Sequence, residues 1–195
     1  GLRRAQGPDA GLYGARAAMI GGCIGTSNVL AGQMFDVPVK GTHAHSWIMS
    51  FADEYTAFKT YAKLYPDACC LLVDTYDTLK SGVPNAIKVF TEMRESGIEL
   101  HNYGIRLDSG DLAYLSKKAR KMLDEAGFED AFISASNDLD EYLIHDLKIQ
   151  GAAITSWGVG TNLITSKDCP SFGGVYKLAA IQKEDGKFHS KIKLS

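Results

Sequence analysis

The chain predicts an α/β fold, a barrel or part of one built on parallel strands. Three observations point there. Short runs of strand character alternate with longer runs of helical spacing, and that alternation implies parallel strands joined by right-handed crossovers. Two of the helical runs close on a glycine, Gly97 and Gly127. Polar clusters stand directly after the strand-like runs, where parallel sheets place their chemistry.

Taken in order, Ala10 to Ile20 is alanine-rich and favours helix, and Val37 to Lys40 is a short extended segment. Ser46 to Tyr65 carries Trp47, Phe51, Phe58 and Tyr61 with partial helical spacing. Ala68 to Val73 is an apolar run of strand length. Pro84 to Ser96 reads as a helix, with Pro84 suited to its first turn. Tyr103 to Leu107 is a strand. Leu112, Leu115, Ala119, Met122, Leu123 and Ala126 then line one helix face. Ala131 to Ala135 is a strand, Leu139 to Leu147 a helix and Ala152 to Ser156 a strand. Val175 to Ile181 is the last clear strand, and an alternating run covers Phe188 to Leu194.

Composition narrows the function classes. The 195 residues suffice for one domain with a real core, and 45% hydrophobic with 23% charged residues is ordinary for a globular chain. A net charge of −2 leaves no basic footprint for nucleic acid. No apolar run reaches the roughly 18 residues of a membrane span, and no signal peptide is visible. Cys23, Cys69, Cys70 and Cys169 lack CxxC spacing, so a zinc site built from them is not expected and a reduced, cytoplasmic setting is. Gly1 is not an initiator methionine and Ser195 ends an alternating run, so residues 1–195 are expected to be one barrel domain cut from a longer chain.

Five clusters carry the chemistry. Gly41-Thr42-His43-Ala44-His45-Ser46 follows the Val37 segment, and Asp74-Thr75-Tyr76-Asp77-Thr78 follows the cysteine run. Asp108-Ser109-Gly110-Asp111 follows Arg106 and Leu107. Ser136-Asn137-Asp138 and Gly158-Val159-Gly160-Thr161 complete the set. A glycine loop opening a helix can cradle phosphate, or it can be a tight turn. Ser136-Asn137-Asp138 can bind ligand or cap a helix. The paired aspartates Asp74/Asp77 and Asp108/Asp111 can hold ribose hydroxyls or Mg²⁺, or cap the helices that follow. Arg106 can meet ligand or pair with a carboxylate. His43 and His45 can bind a metal, move a proton or act as a nucleophile, and in extended chain they point to opposite sides.

These clusters, in this order and over essentially the whole chain, resemble the nicotinate phosphoribosyltransferase family. Gly1 to Asp9, Gly25 to Gly32 and Gly173 to Leu178 match as well. The resemblance implies a partial, irregular TIM-like barrel of the type II phosphoribosyltransferase kind. It implies transfer of ribose 5-phosphate from phosphoribosyl pyrophosphate (PRPP) to nicotinate, giving nicotinate mononucleotide and pyrophosphate for NAD synthesis. It further implies coupling to ATP hydrolysis through a phosphohistidine, with Mg²⁺ as cofactor, in a homodimer with a shared active site.

By position, His45 matches the phosphorylated histidine, which leaves His43 structural. Arg106 and Thr42 match residues around the pyridine carboxylate, and Arg3 and Arg4 residues near substrate and pyrophosphate. Asp74 and Asp108 match carboxylates around ribose, Mg²⁺ and pyrophosphate. Ser136, Asn137, Asp138, Gly158, Gly160 and Thr161 match the cradle for ribose and its phosphate, with Lys177 beside it. The related nicotinamide enzyme has an aspartate where Ser27 stands, and a serine tolerates the nicotinate carboxylate. Two other readings compete: a metal-dependent barrel hydrolase using His43 and His45, and a non-catalytic fragment.

Overall fold

The computed structural model describes residues 1–171 and 173–192. Four strands, β1 (Cys70–Leu72), β2 (Gly104–Leu107), β3 (Phe132–Ala135) and β4 (Ser156–Trp157), form one parallel sheet in the order β1-β2-β3-β4. Leu71 lies opposite Ile105, and Ile105 opposite Ile133. Each strand neighbours its predecessor, so right-handed crossovers place every connecting helix on the same face. That is the winding of a barrel wall rather than of a doubly wound sheet.

The crossovers are α5 (Val83–Glu95), α6 (Leu112–Glu125) and α7 (Glu141–Ile149). Ala86, Val89, Phe90 and Met93 form the buried stripe of α5, at the i, i+3, i+4, i+7 spacing of an amphipathic helix. Asp111 caps α6 by accepting from the Tyr114 N–H, and Asp140 caps α7 by accepting from the Leu143 N–H. Gly97 and Gly127, at φ 79° and 77°, supply the left-handed residues that end α5 and α6. Leu71, Leu72, Ile105, Leu107 and Ile133 are fully buried, as strands covered on both faces must be. Phe90, Tyr103 and Phe128 meet edge to face at the amino end of the sheet, with centroids 4.9–6.0 Å apart.

Before the sheet come α1 (Pro8–Ile20), α2 (Val29–Phe35), α3 (His45–Met49) and α4 (Glu54–Leu64). Leu12, Ala15 and Ala31 make a second, smaller core between α1 and α2. After β4 comes the short helix α8 (Thr161–Ile164). Ile164 fills the space that a side chain at Gly14 would need, so α1 packs closely on α8. No helix among the described residues is long and apolar enough to cross a membrane.

Four expectations change. The Ser46–Tyr65 run breaks into α3 and α4, because Asp53 turns the chain and caps α4 by accepting from the Thr56 N–H at 2.8 Å. Val37–Lys40 forms no sheet strand. It makes a single parallel bridge, Thr26 to Val39, and Pro38 has no N–H to extend a ladder. Ala152–Ser156 joins the sheet late, since β4 comprises only Ser156 and Trp157. Val175–Ile181 is not a strand of the parallel sheet. Only its last two residues enter a strand, Ala180–Gln182 (β5), which pairs antiparallel with Phe188–Ser190 (β6) in a hairpin. Of the alternating run Phe188 to Leu194, residues 193 and 194 lie outside the described set.

Candidate active site

Three strands of the parallel sheet deliver polar side chains at their carboxyl ends, Asp74 after β1, Arg106 and Asp108 at β2 and Ser136 after β3, and Gly158 opens the loop after β4. The loop preceding α3 adds Thr42, and His45 is the first residue of that helix. Direct hydrogen bonds join most of these groups.

Arg106 is the hub. Its Nε donates to Ser136 Oγ at 2.9 Å, Nη1 to Thr42 Oγ1 at 2.8 Å, and Nη2 to Asp108 Oδ1 at 3.0 Å. The planar guanidinium with its five donors suits this work, since one side chain ties together three separate loops. Ser136 Oγ, accepting from Arg106, donates in turn to Asp108.

Asp74 is a second centre. Its side chain is 1% exposed, so its charge has to be met inside the protein. Oδ1 accepts from His45 Nε2 at 3.1 Å. Oδ2 accepts from the backbone N–H of Asp108 at 2.8 Å and from Ser109 Oγ at 2.6 Å. An ionised carboxylate only accepts, so His45 carries a proton on Nε2, and in the neutral ring Nδ1 then holds the lone pair. Ser109 is not among the residues that the family resemblance assigns by position, although it lies in the run Asp108-Ser109-Gly110-Asp111.

The two histidines part company. His43 is buried, and its Nε2 accepts from the Leu72 N–H on the outer edge of β1 at 3.3 Å. Its ring lies edge-on to Tyr61, centroids 4.5 Å apart. Burial, with lesser repulsion from Arg106 and His45, holds its pKa down to about 4. A hydrolase metal shared by His43 and His45 finds no support here, because the Leu72 N–H takes the Nε2 lone pair of His43 and Nδ1 of the neutral ring then carries the proton.

The pKa of His43 has a consequence for stability. Between pH 6.5 and about 4 the unfolded chain binds a proton at His43 that the folded chain does not, so stability rises with pH across that window. The expected contribution is about 3 kcal/mol, fully present above pH 6.5 and lost as the pH falls toward 4. Urea unfolding at pH 4.5 and 7 should show a smaller difference for His43→Leu than for the native sequence. Equal differences would remove His43 as the source.

Other residues assigned by position stand at varying distances from the hub. Gly158 abuts Ser136, and its N–H donates to the Ala135 carbonyl at 2.7 Å. Asn137 and Asp138 adopt left-handed conformations at φ 100° and 43°, forming a tight turn rather than the helix cap, which is Asp140. Asn162 donates to the Asp138 carbonyl at 2.8 Å and ties that turn to α8. Gly160 precedes Thr161, the first residue of α8, and lies against Gly1, so the turn Leu2–Arg4, with Arg3 and Arg4 exposed, follows directly from the glycine loop's neighbour. Ser27 and Lys177 are exposed. Among the described residues no hydrogen bond or ion pair links Arg3, Arg4, Ser27 or Lys177 to the Arg106–Asp74 cluster.

The donor set does not favour a protein-held metal. Both oxygens of Asp74 are engaged by protein donors, and Asp108 Oδ1 is shared between Arg106 and Ser136. Among the described residues no group of three or more His, Cys, Asp or Glu is placed to hold a metal ion.

The profile of the Nicotinate phosphoribosyltransferase (NAPRTase) family matches residues 1–188. The chain belongs to the nicotinate phosphoribosyltransferase family. Among curated relatives, the nicotinate phosphoribosyltransferase of Bacillus subtilis is 62% identical over 195 residues, 100% of this chain and 39% of that protein. The human nicotinate phosphoribosyltransferase is 34% identical over 234 residues, covering 93% of this chain and 43% of that protein. The chain thus spans less than half the length of these NAPRTase relatives.

Solved structures agree. The crystal structure of human Nicotinic Acid Phosphoribosyltransferase superposes with a TM-score of 0.74 at 32% identity, over 82% of this chain and 42% of that one. That of nicotinate-nucleotide pyrophosphorylase from Pyrococcus furiosus gives 0.63 at 26%, over 83% and 40%. The α/β architecture with its parallel sheet is therefore the type II phosphoribosyltransferase fold of the NAPRTase family.

Proposed function

We propose that this chain carries the catalytic core of a nicotinate phosphoribosyltransferase, joining nicotinate to the ribose of PRPP and releasing pyrophosphate in NAD synthesis. The observation that carries the reading is the Arg106 hub at the carboxyl end of β2, with Thr42, Ser136 and Asp108 gathered on one guanidinium. Arg106 and the Thr42 hydroxyl would receive the pyridine carboxylate, as a cation and a hydroxyl suit an anion. Ser27, a neutral hydroxyl, adds no charge to oppose that carboxylate.

In the reaction the ribose C1–O bond to pyrophosphate breaks while the pyridine nitrogen bonds to C1. Positive charge grows on the sugar, and the fixed carboxylate of Asp108 would stabilise it. Arg3 and Arg4 would meet the departing pyrophosphate. Ser136, Asn137, Asp138, Gly158, Gly160 and Thr161 would hold ribose and its 5′-phosphate, with Lys177 from the segment beyond. Mg²⁺ would travel with the diphosphate of PRPP, and of the two carboxylates Asp108 would meet it, since among the described residues its Oδ2 accepts from no protein donor while both oxygens of Asp74 are engaged.

ATP is the proposed co-substrate, and His45 its acceptor. With Nε2–H fixed on Asp74, Nδ1 is the nitrogen free to attack the γ-phosphorus as the bond to ADP breaks. Asp74 would balance the imidazolium that forms. The reducing cytoplasm is the setting we assign, consistent with the four free cysteines. A homodimer is the proposed assembly.

The deciding experiment is an assay of the intact protein with radiolabelled nicotinate and PRPP, with and without ATP. Formation of labelled nicotinate mononucleotide is expected, and none under either condition would refute the reading. In the same assay His45→Ala should abolish stimulation by ATP while leaving slow PRPP-dependent synthesis. Undiminished stimulation would take His45 out of the ATP step.

A further inference from the structure

Glu54 opens α4 and is 4% exposed, yet among the described residues no cation pairs with it. Its Oε2 accepts from Ser81 Oγ and from Asn85 Nδ2, the latter at 3.0 Å, and Asn85 also reaches Ser81 Oγ at 3.3 Å. Oε1 is buried without a partner. A carboxylate buried on two neutral donors is costly, and the amino end of an eleven-residue helix offsets only part of that cost. Packing alone gives no reason for a carboxyl group at this place.

One donor, Ser81, comes from an unusual turn, and the other, Asn85, from the first turn of α5. Thr78–Gly82 is a π-helical turn, closed by the Gly82 N–H donating to the Asp77 carbonyl at 2.9 Å. The turn runs straight into α5, so Ser81 and Asn85, four residues apart, share one face and both reach Glu54 on α4. On its other side Gly82 rests on the end of β1, so close that a Cβ there would overlap the Val73 carbonyl oxygen. The next residue is Asp74. π-turns of this kind recur at functional sites.

Glu54 is also tied to the other half of the His45–Asp74 pair. His45 begins α3, and Trp47 in α3 donates from Nε1 to the Ala57 carbonyl of α4 at 3.3 Å. One side chain therefore connects the helix pair carrying His45 to the turn that props Asp74. We propose that Glu54, through Ser81 and Asn85, is a positioning residue that sets the separation of His45 and Asp74. This inference rests on the function proposed above and assigns Glu54 to the ATP-coupled half of it. The nicotinate-binding hub on Arg106 makes no hydrogen bond to the clamp.

Two readouts test it. ¹⁵N NMR of the His45 imidazole should show a single Nε2–H tautomer in the native chain and a mixture in Glu54→Ala. In the full chain, Glu54→Ala should lower the ATP-stimulated rate at least tenfold relative to the ATP-free rate, with the KM for nicotinate within twofold of native. Glu54→Gln keeps an acceptor for Ser81 and should restore both readouts. If Glu54→Ala does not fold, Asn85→Ala, which removes one donor only, should show the same pattern at smaller size. An unchanged tautomer with unchanged ATP stimulation would overturn the proposal, as would equal loss of nicotinate binding and ATP coupling. A native chain that makes no nicotinate mononucleotide would refute the function while leaving the tautomer result to judge the clamp.

Discussion

Arg106→Ala is expected to cut kcat/KM for nicotinate by roughly a hundred- to a thousand-fold, about 3–4 kcal/mol, in a steady-state assay with saturating PRPP. Two losses combine. The substrate carboxylate loses its cation, and Asp108, whose side chain is only 28% exposed, loses the guanidinium that neutralises it. Thr42 and Ser136 would also lose the donor that holds their loops in register. Arg106→Lys should recover little of the activity, because one ammonium on a flexible stem cannot reach three loops at once. The change should act on anionic substrate above all, so any residual turnover of nicotinamide should be much less affected. Native kinetics for nicotinate in Arg106→Ala would remove this residue from the site.

Gly82→Ala should be among the most destabilising single-methyl additions in the chain. The new Cβ would overlap the Val73 carbonyl oxygen, which belongs to backbone at the end of β1 and cannot swing aside. Overpacking against fixed backbone costs about 3 kcal/mol, which for a domain of this size lowers the melting temperature by roughly 10 °C. Calorimetry measures that directly. Because Asp74 follows Val73, the shift should also disturb the His45–Asp74 contact. A melting temperature within a degree or two of native would mean that the π-turn relaxes freely, and with it the proposed clamp would lose its rigid base.

Much of the sheet was legible before any coordinates. Leu71, Leu72, Ile105 and Ile133 lie in apolar runs bounded by turn residues, and a buried parallel strand needs little more. The strand-end clusters were legible for the same reason, since charged groups are costly within such runs and gather at their ends, Arg106 in the next-to-last position of β2 included. Where the reading failed, long-range terms overrode the local pattern. Val175–Ile181 alternates like a strand, but a strand exists only where another segment supplies hydrogen-bond partners, and β6 supplies them only to Ala180–Gln182. Ser46–Tyr65 has aromatic residues at helical spacing across what became a break, because capping by Asp53 starts a fresh helix.

The site was legible as a set of residues and illegible as a geometry. His43 and His45 look equivalent in the string of letters, and one contact with the outer edge of β1 separates a core acceptor from a candidate nucleophile. Ser109 and Glu54 show the same limit, since each matters through a partner 35 or 27 positions away. Local patterning sufficed for the α/β class, the strand ends and the family, because hydrophobic period and turn chemistry act over a few residues. The proton on His45, the engagement of Asp74 and the reach of Arg106 across three loops depend on distances between remote segments. Those distances arise only when the core packs and a burial cost compels each polar group to find its partner.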